Sequence, residues 1–168
     1  MLHHMEGLAV LRHLIATLAY RAAKVVRDVG PDFPTMSVSP TTRRPVLITA
    51  HMADLMAWAL TLAEGRSDWK AAGTDDWNVE VRRFFSGLEA LDRRVSTSPL
   101  SSESIERLIQ GPLADALTHV GQLAMLRGMA RIPVRPESYA RAEVVAGRVG
   151  VDQAPPGREF DDDASLRR

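Results

Sequence analysis

The chain contains five histidines, 21 aspartates and glutamates, and no cysteine. Chemistry done by its own side chains therefore runs through imidazole and carboxylate. Disulfides, thiolate metal sites, iron–sulfur clusters and a cysteine nucleophile are excluded. A bound metal must be held by nitrogen and oxygen, and any thiol chemistry must come from an external cofactor. Two histidines stand out by position. A helix turns about 100° per residue, which places Leu47, Ile48, Leu55, Trp58 and Leu62 around His51, on the apolar stripe of its segment. The same construction puts Ile105, Pro112, Ala116, Leu123 and Leu126 around His119. Asp115 precedes His119 by one turn on the same side, and Gln122 flanks it at i+3.

Two histidines and a carboxylate, from two helices, are thus expected to face one interior. Burying such groups is costly unless they are paired or bind a metal. A single inward histidine is ordinarily a hydrogen-bonded core residue, but an inward Asp at four-residue spacing opens a second reading. Either Asp115 orients His119 through a hydrogen bond without metal, or His51, Asp115 and His119 form a 2-His-1-carboxylate set with open coordination positions. Gln122 is placed to hydrogen-bond a ligand or substrate from behind. No side chain stands out as a general base. His3 and His4 fall in a terminus expected to fray, and His13 lies off the centre of its helix's apolar stripe, a solvated or interhelical position. Trp58 and the methionines read as core filler, and Asp161-Asp162-Asp163 as solvated acids.

The elements that must position these residues are helical. Leu8, Leu11, Ile15, Leu18, Ala22, Val25 and Val29 recur every three or four residues, predicting a helix from about Met5 to Asp28 that Gly30-Pro31 stops. Pro45 suits the first position of a second helix, ending at about Ala63 near Gly65. Asp75 or Asp76 caps a third, Trp77 to about Val95, with Val81, Phe84, Phe85, Leu88 and Leu91 on its apolar side. Ser101 or Ser102 opens a fourth that runs to about Arg131, before Ile132-Pro133. Gly111-Pro112 interrupts it. Proline removes one backbone bond and clashes with the Leu108 carbonyl, so a kink is expected just before Asp115, as a plain break or as a bend that reshapes the core. A short helix, Glu137 to Ala146, is expected to cover one end of the core, with an extended, partly disordered tail from Gly147. The loops Asp32–Arg44 and Gly65–Asp75 border the site.

This pattern predicts an all-α fold, a four-helix bundle over residues 1–146 with a tail over 147–168. With 168 residues, 45% hydrophobic and 25% charged, the chain suits one globular core. Twenty-one basic residues balance 21 acidic ones and aromatics are few, so the footprint of a nucleic-acid binder is missing. The first residues lack the pattern of a secretory signal, and no stretch reads as a membrane span. The expectation is a cytoplasmic protein without nucleic-acid or membrane partners.

Three stretches together resemble the DinB/YfiT superfamily of metal-dependent enzymes. Ile48-Thr49-Ala50-His51-Met52-Ala53-Asp54-Leu55-Met56-Ala57-Trp58 is similar to the family's second helix, in which a histidine precedes an aspartate and a tryptophan. Asp115-Ala116-Leu117-Thr118-His119-Val120-Gly121-Gln122-Leu123 is similar to its fourth-helix pattern of two histidines four apart, the second followed by x-Gly-Gln. The third stretch runs from Leu126-Arg127-Gly128 through Ile132-Pro133. The resemblance spans roughly Leu8 to Pro133. It implies a four-helix bundle, often a homodimer, with a divalent metal held by three side chains at one end of the core. Carried over, the ligands are His51, Asp115 and His119; the family usually has histidine where this chain has Asp115. A carboxylate hardens the site, leaving zinc, nickel, manganese and ferrous iron as candidates. The implied activities are metal-dependent hydrolysis or S-transfer with a low-molecular-weight thiol, on a small-molecule substrate. The competing reading is a non-catalytic helical bundle whose His–Asp–His network holds no metal.

Overall fold

The structure is a computed structural model that describes residues 2–160, with side chains from Glu6 onward. The side chains of His3 and His4, and the acids Asp161–Asp163, lie outside the described residues. The fold is all-helical. Among the described residues there is no β-strand, only an isolated antiparallel bridge between Glu137 and Glu159. Helix α1 spans Leu2–Val26, α2 Pro45–Ala63 and α3 Trp77–Thr97. The last long segment is divided into α4 (Ser102–Leu108), a single π-helical stretch (Ile109–Leu113) and α5 (Ala114–Met129).

The helix starts follow local chemistry. Pro45 opens α2, where a missing N–H is harmless. Of the two cap candidates before α3, Asp76 accepts the Val79 N–H at 3.0 Å. Ahead of α4 it is Ser101, accepting from the Ser104 N–H at 3.1 Å. Helix α5 ends when Arg131 adopts a left-handed φ of 62°, with the Ile132 N–H returning to the Arg127 carbonyl at 3.0 Å.

One core joins the helices. α2 packs along α3 and also against α5, while α1 packs on α3 and α5. Leu11, Ile15 and Leu18 of α1 meet Met52 and Met56 of α2, Phe84, Leu88 and Leu91 of α3, and Leu123 and Leu126 of α5, all fully or almost fully buried in one cluster. The close approach of α2 and α3 depends on Gly87: a Cβ there would lie 2.7 Å from the Met56 Cβ. Helix α2 is long and apolar enough to cross a membrane, which amends the expectation that no stretch is; here most of it is buried against neighbouring helices, and it carries His51 and Asp54.

The Gly111-Pro112 interruption takes a specific form. Gly111 leaves helical geometry (φ −93°, ψ −105°), and the chain makes a π-helical stretch around Pro112 that avoids the clash a straight α-helix would impose. The extra residue per turn re-phases α5 against α4. A helical wheel drawn straight from Ile105 to His119 is therefore wrong across this point, although Ile105 and Pro112 are both buried.

The short helix expected over Glu137 to Ala146 does not form; only Tyr139–Arg141 makes a 3-10 turn. Tertiary contacts outweigh local preference there. The Glu137 carboxylate is drawn inward to accept the Tyr20 hydroxyl at 2.6 Å and the Lys24 ammonium at 2.7 Å. The Ser138 N–H donates to the Arg158 carbonyl and the Phe160 N–H to the Pro136 carbonyl. These bonds hold the chain extended against its own later turn. Beyond Gly147 the described part of the tail lies on the helices: Val149 joins the core, and Glu159 pairs with Lys24 at 2.8 Å.

Candidate metal centre

His51 sits in the second turn of α2, and Asp115 and His119 lie one turn apart on α5, just past the π-helical stretch. The packing of α2 on α5 brings all three together. Asp115 Oδ2 is 3.4 Å from His51 Nε2, and Asp115 Oδ1 is 3.3 Å from His119 Nε2. The two imidazoles stand edge to face, centroids 4.9 Å apart and planes at 90°. One donor atom from each residue lies within 4.8 Å of the others, so the group can hold a metal ion. The three are not equally deep. The His119 side chain is 10% exposed, His51 24% and Asp115 46%. They line an open cleft of about 570 Å³ with Thr41, Thr42, Arg43, Ile48, Gln122, Met125 and Leu126. The trio thus faces solvent access as well as the interior.

The donor chemistry fits a divalent ion. Two imidazole nitrogens and a carboxylate oxygen are a donor set that such ions take. The His119 Nδ1 lies 2.7 Å from Gln122 Oε1; in the tautomer that carries its proton on Nδ1, the ring donates to that oxygen and leaves Nε2 free to bind. In the neutral ring Nε2 then presents a lone pair to Asp115 Oδ1, acceptor against acceptor. Only a cation between them, a proton or a metal ion, makes that contact favourable. Burial pushes the His51 pKa below its ordinary value, and the neighbouring His119 and the Arg43 charge push the same way, against the opposing pull of Asp115. His51 is accordingly held neutral near pH 7, the form that ligates metals.

Both flanking loops contribute, as expected from their position, through residues that sequence reasoning did not single out. Trp69, 46% exposed, packs edge-on to His51 (5.6 Å between centroids) and to Trp58 (5.9 Å). The loop carrying it is strapped to the helices. Asp54 Oδ1 and Oδ2 accept the Ala72 N–H, and Glu80 Oε1 accepts both the N–H and hydroxyl of Thr74. Arg83 bridges the two carboxylates, reaching Asp54 at 2.6 Å and also pairing with Glu80. Gly73 allows the strap to lie on α2, since a Cβ there would fall 2.7 Å from that of Ala50. The visible signals were a lone tryptophan in a polar loop and an Arg-Arg pair before Pro45, neither of which has a period to read. Trp58 is partly buried against the core and His13 is exposed. No protein family, curated protein or solved structure gives a significant match to this chain.

Proposed function

We propose that the protein is a divalent-metal-dependent enzyme acting on a small molecule, a four-helix bundle of the DinB/YfiT type. His51, Asp115 and His119 hold the ion, which is zinc, nickel, manganese or ferrous iron. The observation that carries this reading is the convergence of His51, Asp115 and His119, one donor atom from each within 4.8 Å of the others on an open cleft, with Gln122 at the other His119 ring nitrogen. A metal bound there lowers the pKa of a water or thiol and polarises a substrate oxygen, the chemistry of hydrolysis or of thiol S-transfer. This chain's own residues fix the geometry of that chemistry. Gln122 orients the His119 ring, Trp69 packs on the His51 ring, and the cleft admits a substrate to the Asp115 side. A homodimer belongs to the same reading.

One observation favours a second reading, a binding or structural bundle without metal. Asp115 lies within ion-pair reach of both imidazoles, so a protonated network could close on itself. The two readings separate on untagged protein by elemental analysis, alongside His51→Ala and His119→Ala. We expect about one divalent ion per wild-type chain and its loss in both variants. A wild-type chain that retains no zinc, nickel, manganese or iron after loading and desalting overturns the enzyme reading. Turnover of an electrophile panel with and without low-molecular-weight thiols then divides transferase from hydrolase, since a rate independent of thiol rejects the former.

A further inference from the structure

Arg43 and Arg44 are neighbours with different commitments. Arg44 Nη2 pairs with Asp75 Oδ1 at 3.0 Å. The Arg43 side chain is exposed and makes no ion pair or hydrogen bond with any described residue. Yet it lines the same cleft as His51, Asp115 and His119. It is also the only lysine or arginine among the lining residues, and Met125, 59% exposed, adds apolar surface.

We propose that Arg43 anchors the carboxylate of a small, partly apolar substrate whose reacting end lies at His51, Asp115 and His119. This rests on the metal reading above and adds the substrate class to it. Asp115 alone would repel an anion entering the cleft. Arg43 cancels that charge, and a divalent ion makes the cleft net positive, which draws anions in. A guanidinium offers paired N–H donors that match a carboxylate in a planar fork. A single guanidinium with apolar surface beside it, and no further lysine or arginine on the lining, suits a carboxylate. A volume of about 570 Å³ lies in the range of small-molecule sites and leaves room for an aliphatic stretch beside Met125. Arg43 is on this view a specificity-determining residue that touches the substrate away from the reacting atoms.

The test uses the full chain loaded with cobalt(II) and a series of straight-chain ω-mercapto acids of increasing length, each compared with its amide by calorimetry. At the best length the acid is expected to bind ~10–100-fold more tightly than the amide, the range of one charge-assisted contact. Arg43→Gln should bring that ratio close to one while leaving amide affinity and cobalt content unchanged, and Arg43→Lys should restore part of it. Equal binding of acid and amide at every length, or a preference that survives in Arg43→Gln, overturns the anchor. A wild-type chain that binds no cobalt removes the metal reading separately. Arg43 is then judged on the metal-free chain with hexanoate against hexanamide. A hexanoate preference lost in Arg43→Gln supports the anchor, and equal binding overturns it.

Discussion

His51 and Asp54 stand three residues apart on α2 and enter polar clusters of different kinds. Around Asp54 one guanidinium serves two carboxylates, and backbone N–H groups complete them. Arg83 lies between Asp54 and Glu80, backbone N–H groups of Ala72 and Thr74 satisfy the remaining carboxylate oxygens, and Glu80 is fully buried. Around His51 one carboxylate and two imidazoles, with Arg43 on the same lining, face a cleft open to solvent. The first cluster is complete as it stands and fastens the loop carrying Trp69. The second, arranged by Gln122 and Trp69, turns its imidazole and carboxylate donors toward an open cleft. What separates the two clusters is whether their polar atoms are taken up by one another or face an open cleft.

Removing the counter-charge from the complete cluster should give the largest stability change. Arg83→Met leaves two carboxylates that are 6% and 0% exposed without their cation, and the loss of one partner from a buried pair costs about 3–5 kcal/mol. Urea unfolding monitored by circular dichroism should show it; a change below about 1 kcal/mol would mean the two clusters do not differ as described. The open cluster should behave in the opposite way. His119→Ala is expected to leave the metal-free chain nearly as stable as wild type but to weaken zinc binding by more than the ~10–100-fold typical of losing a group behind a ligand, as measured by chelator competition.

Gln122→Ala falls in that smaller class. With Nδ1 of His119 released, zinc affinity should drop by ~10-fold while stoichiometry is kept; unchanged affinity would remove Gln122 from the site. The smallest effect is a pH dependence. The unfolded chain protonates His51 near its ordinary 6.5, whereas the folded chain does so only at lower pH. The unfolded state therefore binds the extra proton in the window below 6.5, and stability of the metal-free protein should fall as pH drops through it. His51→Gln should flatten that part of the profile. A slope that persists in the variant assigns it to another group.

Much of this contrast could be read from the chain, and the parts that could not have physical reasons. Long periodic segments announced the helices, Asp76 and Ser101 were among the named caps, and Pro112 marked the interruption before Asp115. The inward stripes of two helices singled out His51, Asp115 and His119, which the structure brings to one place. How far each is exposed was not legible, because the open cleft beside Asp115 depends on how α2, α5 and the loop before α2 meet. Arg43, Trp69 and the Asp54–Arg83 pair were missed because loop residues have no period, and a salt-bridge partner 29 positions away leaves no local trace. The helix wrongly expected over Glu137 to Ala146 shows the converse. Its local pattern was permissive, and a buried bond from Lys24, 113 residues earlier in the chain, decided otherwise.

The most direct measurement is the X-ray absorption spectrum of the zinc-loaded, untagged full chain. We expect a coordination sphere of nitrogen and oxygen at ~2.0–2.1 Å, with multiple-scattering features of two imidazoles that fall to one in His51→Ala. A spectrum without imidazole scattering, or one unchanged in that variant, would contradict a metal centre built from His51, Asp115 and His119.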